Sequence, residues 1–168
     1  MDSGVLLVRV VFGALMAAHA SQKLFGWFGG YGLAAVSGFF ETLGFRPGRL
    51  YAVAASVAEL AGGLFLAAGL LGPVGPALIL SVMIVAAISV HWANGLFASA
   101  NGIEVPLLYA TVAAAVALTG PGRYSLDAVL GLTSIWRPEV IAAVLAVGII
   151  GGAANVALRR RESQLAAA

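Results

Sequence analysis

The residues with chemistry to offer are few, and most of them sit in or beside apolar sequence. Glu59 lies in the run from Tyr51 to Leu71, a stretch of membrane length that also carries Gly62-Gly63. A carboxylate at that depth is costly, which marks it as either paired or functional. Arg9 and Lys23 fall near the two ends of an earlier apolar run. Arg9, Gly13, Met16, Ala20 and Lys23 follow steps of four, three, four and three, so they share one helical stripe, with His19 beside it. His91 and Glu104 flank the polar loop from Asn94 to Gly102. If successive helices alternate in direction, His19, Lys23, Trp27, Glu41, Tyr51, His91, Trp92, Asn94 and Glu104 gather at one end of a bundle. Glu59, eight residues past Tyr51, then lies about 12 Å further in. The geometry expected is a polar funnel leading to Glu59, with Arg9, His19, Lys23, Glu59, His91 and Glu104 as the ligand-contacting set.

That set admits two kinds of chemistry. In one, Arg9 reaches Glu59 across a tilted helix and the two form a structural ion pair. In the other, Glu59 faces a quinone or accepts a proton, with Arg9 or Lys23 setting the local potential. His19 and His91, the only histidines, fall on different helices at similar depth and could contact a quinone carbonyl or ligate a haem iron. Helix-end histidines more often serve as interfacial hydrogen-bonding groups, which makes haem the poorer expectation. Glu41 and Glu104 have ordinary readings as solvated acids near helix starts, although Pro106 places Glu104 at the funnel mouth beside His91. Lys23 can equally snorkel to headgroups. The chain has no Cys, which removes disulfides, thiolate ligands and iron–sulfur clusters together. No close His, Asp or Glu spacing suggests a metal site, and no nucleophile-elbow, phosphate-loop or zinc-protease motif occurs. No intrinsic cofactor is expected, with quinone the candidate ligand.

The elements that must position these groups are read from composition and hydropathy. Of the 168 residues, 61% are hydrophobic and 10% charged, with mean hydropathy +1.02, more than a soluble core of this length can hide. The expected fold is all-α, a single polytopic membrane domain. Spans are expected at about 4–24, 51–71, 74–92, 104–119 and 139–158, with an interfacial half-helix at about 33–44 carrying Glu41. The run at 104–119 is short for a crossing. Arg9, the first apolar run and Ala18-His19-Ala20 imitate a signal peptide, but the run is read as a span. Trp27, Trp92 and Trp136 suit headgroup belts. Ser125 is a candidate N-cap for the segment holding Asp127. The Ala-rich stretch after Glu162 is expected to fray. The formal charge of +2 is too small and too dispersed for a nucleic-acid surface. Gly148 and Gly152 form a GxxxG pair, which permits close helix approach and leaves oligomerisation open. Lys23, Arg46, Arg49, Arg159, Arg160 and Arg161 fall on one side of five spans, against Arg9, Arg123 and Arg137 on the other. The positive-inside rule then puts the N-terminus outside and the C-terminus in the cytoplasm.

Four features together resemble the DoxX family of small prokaryotic membrane proteins. They are Arg9 with Gly13 and Lys23-Leu24; Glu59-Leu60-Ala61-Gly62-Gly63; His91; and Gly120-Pro121-Gly122-Arg123-Tyr124-Ser125-Leu126-Asp127. The resemblance covers about residues 9–131 and implies a four-helix core in the plasma membrane, with the fifth span outside it. It also implies a membrane subunit or adaptor of a redox assembly, linked to quinone chemistry or to thiol and oxidative-stress defence, with soluble or membrane redox enzymes as partners. It brings no defined catalytic residues. Without Cys, direct thiol exchange is disfavoured against a quinone-facing or scaffolding role. A small-molecule transporter or cargo receptor, or a scaffold with no ligand chemistry, is the alternative.

Overall fold

Apolar runs of membrane length, broken by Gly- and Pro-containing turns, fold into helices that alternate in direction. In a computed structural model that describes residues 2–160, α1 covers Asp2–Phe25, α2 Gly32–Thr42, α3 Gly48–Ala68, α4 Val74–Ala86, α5 Glu104–Thr119, α6 Leu126–Val129 and α7 Pro138–Leu158. Beyond Ala86 the α4 helix widens into a π-turn over Ala87–His91 and tightens into a 3-10 turn over Trp92–Asn94. Among the described residues, four helices are long and apolar enough to cross a bilayer: Asp2–Phe25, Gly48–Ala68, Val74–Asn94 and Pro138–Leu158. The α5 helix has 16 residues, about 24 Å of rise, and is the short member of the bundle. The chain is thus an all-helical membrane bundle. Arg161, Glu162 and the Ala-rich stretch after them lie outside the described residues.

Small residues set the helix seams, because in lipid the association of helices relies on close van der Waals packing rather than on apolar burial. A Cβ at Gly13 would lie 2.5 Å from the carbonyl oxygen of Gly63, and one at Gly63 would lie 2.7 Å from that of Gly13, so α1 and α3 touch backbone to backbone. Gly62 and Gly75 do the same more loosely for α3 and α4. The Gly148 and Gly152 pair packs on α4 over the backbone at Ala77 and Ser81, 2.5 Å and 2.7 Å from the respective carbonyl oxygens by the same measure. The GxxxG pair therefore makes a seam within the chain. Between the seams, Met16, Leu66, Ile79, Leu80, Met83 and Val116 form the apolar centre.

Two boundaries differ from the hydropathy reading. The expected span 51–71 is displaced toward the N-terminus, because Gly69 takes the left-handed conformation (φ 63°) and ends α3 at Ala68. At the other end α3 starts from Gly48, whose amide donates to Glu41 Oε1 at 3.2 Å. The segment Gly32–Thr42 forms a short helix with no fully buried residue, and it lies against α1 and α3.

The two ends of the bundle are identifiable from contacts. Arg123 Nε lies 3.3 Å from Asp2 Oδ2, while the Arg160 amide donates to the Gly44 carbonyl at 2.9 Å. Lys23, Arg46, Arg49, Arg159 and Arg160 thus belong to one end, and Arg9, Arg123 and Arg137 to the other.

Candidate functional site: the Lys23–Glu59 cavity

Because α1 and α3 run antiparallel along the Gly13–Gly63 seam, each residue on the inner stripe of α1 faces a fixed level of α3. Lys23 reaches Glu59: its Nζ donates to Oε1 at 2.6 Å. The Glu59 side chain is 1% exposed and that of Lys23 21%, so the pair is an ion pair in a poorly solvated setting, anchored at the acid end. Oε2 of Glu59 is buried and has no hydrogen-bond partner. One turn earlier on the same face, the buried Ser56 hydroxyl also lacks one.

Glu59 and Lys23 open onto a cavity of about 720 Å³ between α1, the 27–45 segment, α3, the π-turn and the start of α5. That volume falls in the range of small-molecule sites, which are apolar with a few convergent polar groups. Phe39, Phe40, Phe45, Val82 and Met83 supply apolar wall; His19, Gln22, Tyr31, Ser89, His91 and Tyr109 add polar atoms. The π-turn brings Ser89 and His91 to this wall. Such turns are rare and recur at functional sites. At the mouth, the loop after α1 folds back over the helix end: the Gln22 amide nitrogen donates to the Phe28 carbonyl at 3.1 Å. A Cβ at Gly30 would lie 2.5 Å from Gln22 backbone, so only glycine allows that closure.

The expected ligand-contacting residues divide. His19, Lys23, Glu59 and His91 line one cavity. Arg9 does not join them, and the anticipated Arg9–Glu59 pair is replaced by Lys23–Glu59. Arg9 is ten residues before His19 on α1, about 15 Å along the axis, and it meets the far end of α3. There it donates to the Ala67 carbonyl at 2.9 Å and to the Tyr124 carbonyl. Its guanidinium occupies the space that a Cβ at Gly69 would need. Glu104 is likewise outside the cavity wall. Its Oε2 accepts from the Ala98 amide at 2.7 Å, which fixes the 94–103 loop. Of the other groups expected in the funnel, Glu41 caps the start of α3 and Tyr51 packs on Phe45 with ring centroids 5.3 Å apart. Trp27 and Trp92 are exposed, as belt residues are.

A second polar cluster, built on a residue outside the expected ligand-contacting set, lies at the opposite end. Asp127 is fully buried, and its carboxylate accepts from the Leu71 amide at 2.8 Å, the Gly72 amide at 2.6 Å and Trp136 Nε1 at 2.7 Å. Trp136 is therefore a clamp rather than a belt residue, with its ring filling the space beside Gly72. Ser125 caps α6 as expected, its Oγ accepting from the Ala128 amide at 3.2 Å. Among the described residues, no three His, Asp or Glu side chains gather closely enough to hold a metal ion.

These features define a multi-pass helical membrane protein with a largely apolar cavity beside the Lys23–Glu59 pair at one end and a hydrogen-bonded clasp at the other. The sequence matches the family model described as DoxX over residues 4–92, more than half of the chain, and the protein belongs to the DoxX family. The match includes Arg9, Lys23, the Glu59–Gly63 segment and His91, but the Gly120–Asp127 motif lies beyond it. No curated protein and no solved structure gives a match.

Proposed function

We propose that this DoxX protein is the membrane subunit or adaptor of a redox assembly and holds a quinone-type amphiphile in the Lys23–Glu59 cavity. The observation that carries the reading is Glu59 itself. A carboxylate buried at membrane depth is retained at a cost, its Oε1 is held by Lys23, and its Oε2 faces no protein donor at the wall of a cavity. A purely structural ion pair would be favoured by satisfying both oxygens, because a half-satisfied buried network is costly. In this reading Lys23 keeps Glu59 in place, Glu59 accepts a ligand proton or hydrogen bond, and His19 and His91 hold the ligand head. The aromatic walls take its apolar body. The bundle end bearing Lys23, Arg46, Arg49, Arg159 and Arg160 would face the cytoplasm, and the N-terminus the outside, which reporter fusions at the two termini would test.

The test of the ligand is mass spectrometry of intact protein extracted gently from native membranes. A quinone-class molecule should co-purify with the wild type and fall by more than tenfold in Glu59→Leu. A wild-type protein that carries only phospholipid, with unchanged content in Glu59→Leu, would overturn the reading. Retention of soluble redox enzymes by both proteins alongside that result would favour a scaffold.

A further inference from the structure

Two hydrogen bonds at the cavity mouth decide what its imidazoles offer. The Gln22 Nε2 donates to the Phe28 carbonyl at 3.1 Å, so the Gln22 oxygen is the atom turned toward His19 Nδ1, 3.2 Å away. An amide oxygen only accepts. In neutral His19 the proton therefore sits on Nδ1 and the bare lone pair on Nε2. In neutral His91 the same tautomer follows by another route: its Nδ1 lies 2.8 Å from the Asn101 carbonyl oxygen, again an acceptor only, which puts the bare lone pair on Nε2. The third acceptor is Oε2 of Glu59, buried and without a partner. All three residues line one cavity.

Donors are scarcer. Among the described residues, Lys23 is the one charged donor on the wall, and it is already engaged by Glu59. The Tyr31, Ser89 and Tyr109 hydroxyls, also on the wall, can give or receive, and Ser89 Oγ has no protein partner. A ligand head that suits this set brings its own hydroxyl protons.

Resting on the quinone-type reading given above, we infer that the cavity discriminates by redox state and holds the dihydroxy, reduced form of its aromatic ligand more tightly than the dicarbonyl form. A hydroquinone can donate two O–H groups to acceptors that the protein leaves without a donor. A quinone brings only further lone pairs; the wall hydroxyls can meet these, but Glu59 Oε2 and the two imidazole Nε2 atoms are then left without a donor. Two better-satisfied hydrogen bonds correspond to about tenfold or more in affinity. By linkage, a tenfold preference for the reduced form raises the potential of the bound two-electron couple by about 30 mV.

The experiment uses the whole protein in nanodiscs of phosphatidylcholine, whose headgroup has no hydroxyl, with duroquinol and duroquinone in anaerobic equilibrium dialysis. Duroquinol should bind about tenfold tighter than duroquinone. Gln22→Ala, which frees His19 to take either tautomer, should narrow that ratio several-fold. Glu59→Gln, which exchanges an acceptor for an amide that can donate, should collapse or invert it. Equal or tighter binding of duroquinone by the wild type overturns the inference while leaving a quinone-type site standing. Binding of neither form removes the site reading and the inference together. Displacement of duroquinol by phosphatidylglycerol added to the nanodiscs would assign the acceptors to a hydroxylated lipid headgroup instead.

Discussion

The two ends of the bundle each bury a carboxylate, and they treat it in opposite ways. Asp127 receives three N–H donors from the turn after α3 and from Trp136. Beside it, Arg9 is held by two backbone carbonyls, with only its Nε unpartnered. Glu59 has one donor and one oxygen without a partner, and it lines a cavity. Burial alone therefore does not distinguish a clasp from a binding site. In the reading proposed above, the number of donors that the protein itself provides does.

The sharpest way to break this contrast is at the clasp. Asp127→Ala should be the most damaging single change, about 5 kcal/mol, because it orphans two buried amides and an indole N–H and deletes charge-assisted bonds. Thermal unfolding in mild detergent should register it as a large drop in midpoint, while any protein that still folds should keep its ligand affinity. Lys23→Leu should come next, at about 3 kcal/mol, since it leaves a buried carboxylate uncompensated. Much of that loss should return in Lys23→Leu/Glu59→Leu, as replacing a buried pair by apolar groups is often neutral. Additive losses in that cycle would contradict a direct pair. Gly13→Ala should cost about 2 kcal/mol by forcing α1 and α3 apart at their backbone contact. It should also lower ligand affinity, because it shifts Lys23 against Glu59. The smallest effect should be Glu104→Ala, about 1 kcal/mol from one lost loop hydrogen bond, with ligand binding near the wild-type level.

Much of the fold was legible because hydropathy and punctuation act locally. The apolar runs, the amphipathic Gly32–Thr42 segment and the Ser125 cap each follow from a few adjacent residues. The site was legible only as a set of faces. The stripe through Arg9 and Lys23 showed correctly that both point inward, but which of them meets Glu59 depends on the vertical offset between α1 and α3. That offset is set by the Gly13–Gly63 contact and by the folded segment between the helices, and neither can be counted along the chain. Asp127 was opaque for a related reason: two of its donors are backbone amides 55 and 56 residues away. Tyr109, in an apolar helix, reads as core until α5 is placed against the cavity. The π-turn that presents Ser89 and His91 has no side-chain signature at all.

In the proposed reading, the unsatisfied acid end of the bundle holds a ligand. Saturable binding of a short-chain quinol, compared between the wild type and Lys23→Leu/Glu59→Leu at matched folded concentration, tests it most directly. The wild type should bind, and the double variant should keep an unfolding midpoint close to the wild type and show no saturable binding. Equal binding by a folded double variant would contradict the claim and reduce Lys23 and Glu59 to a structural pair.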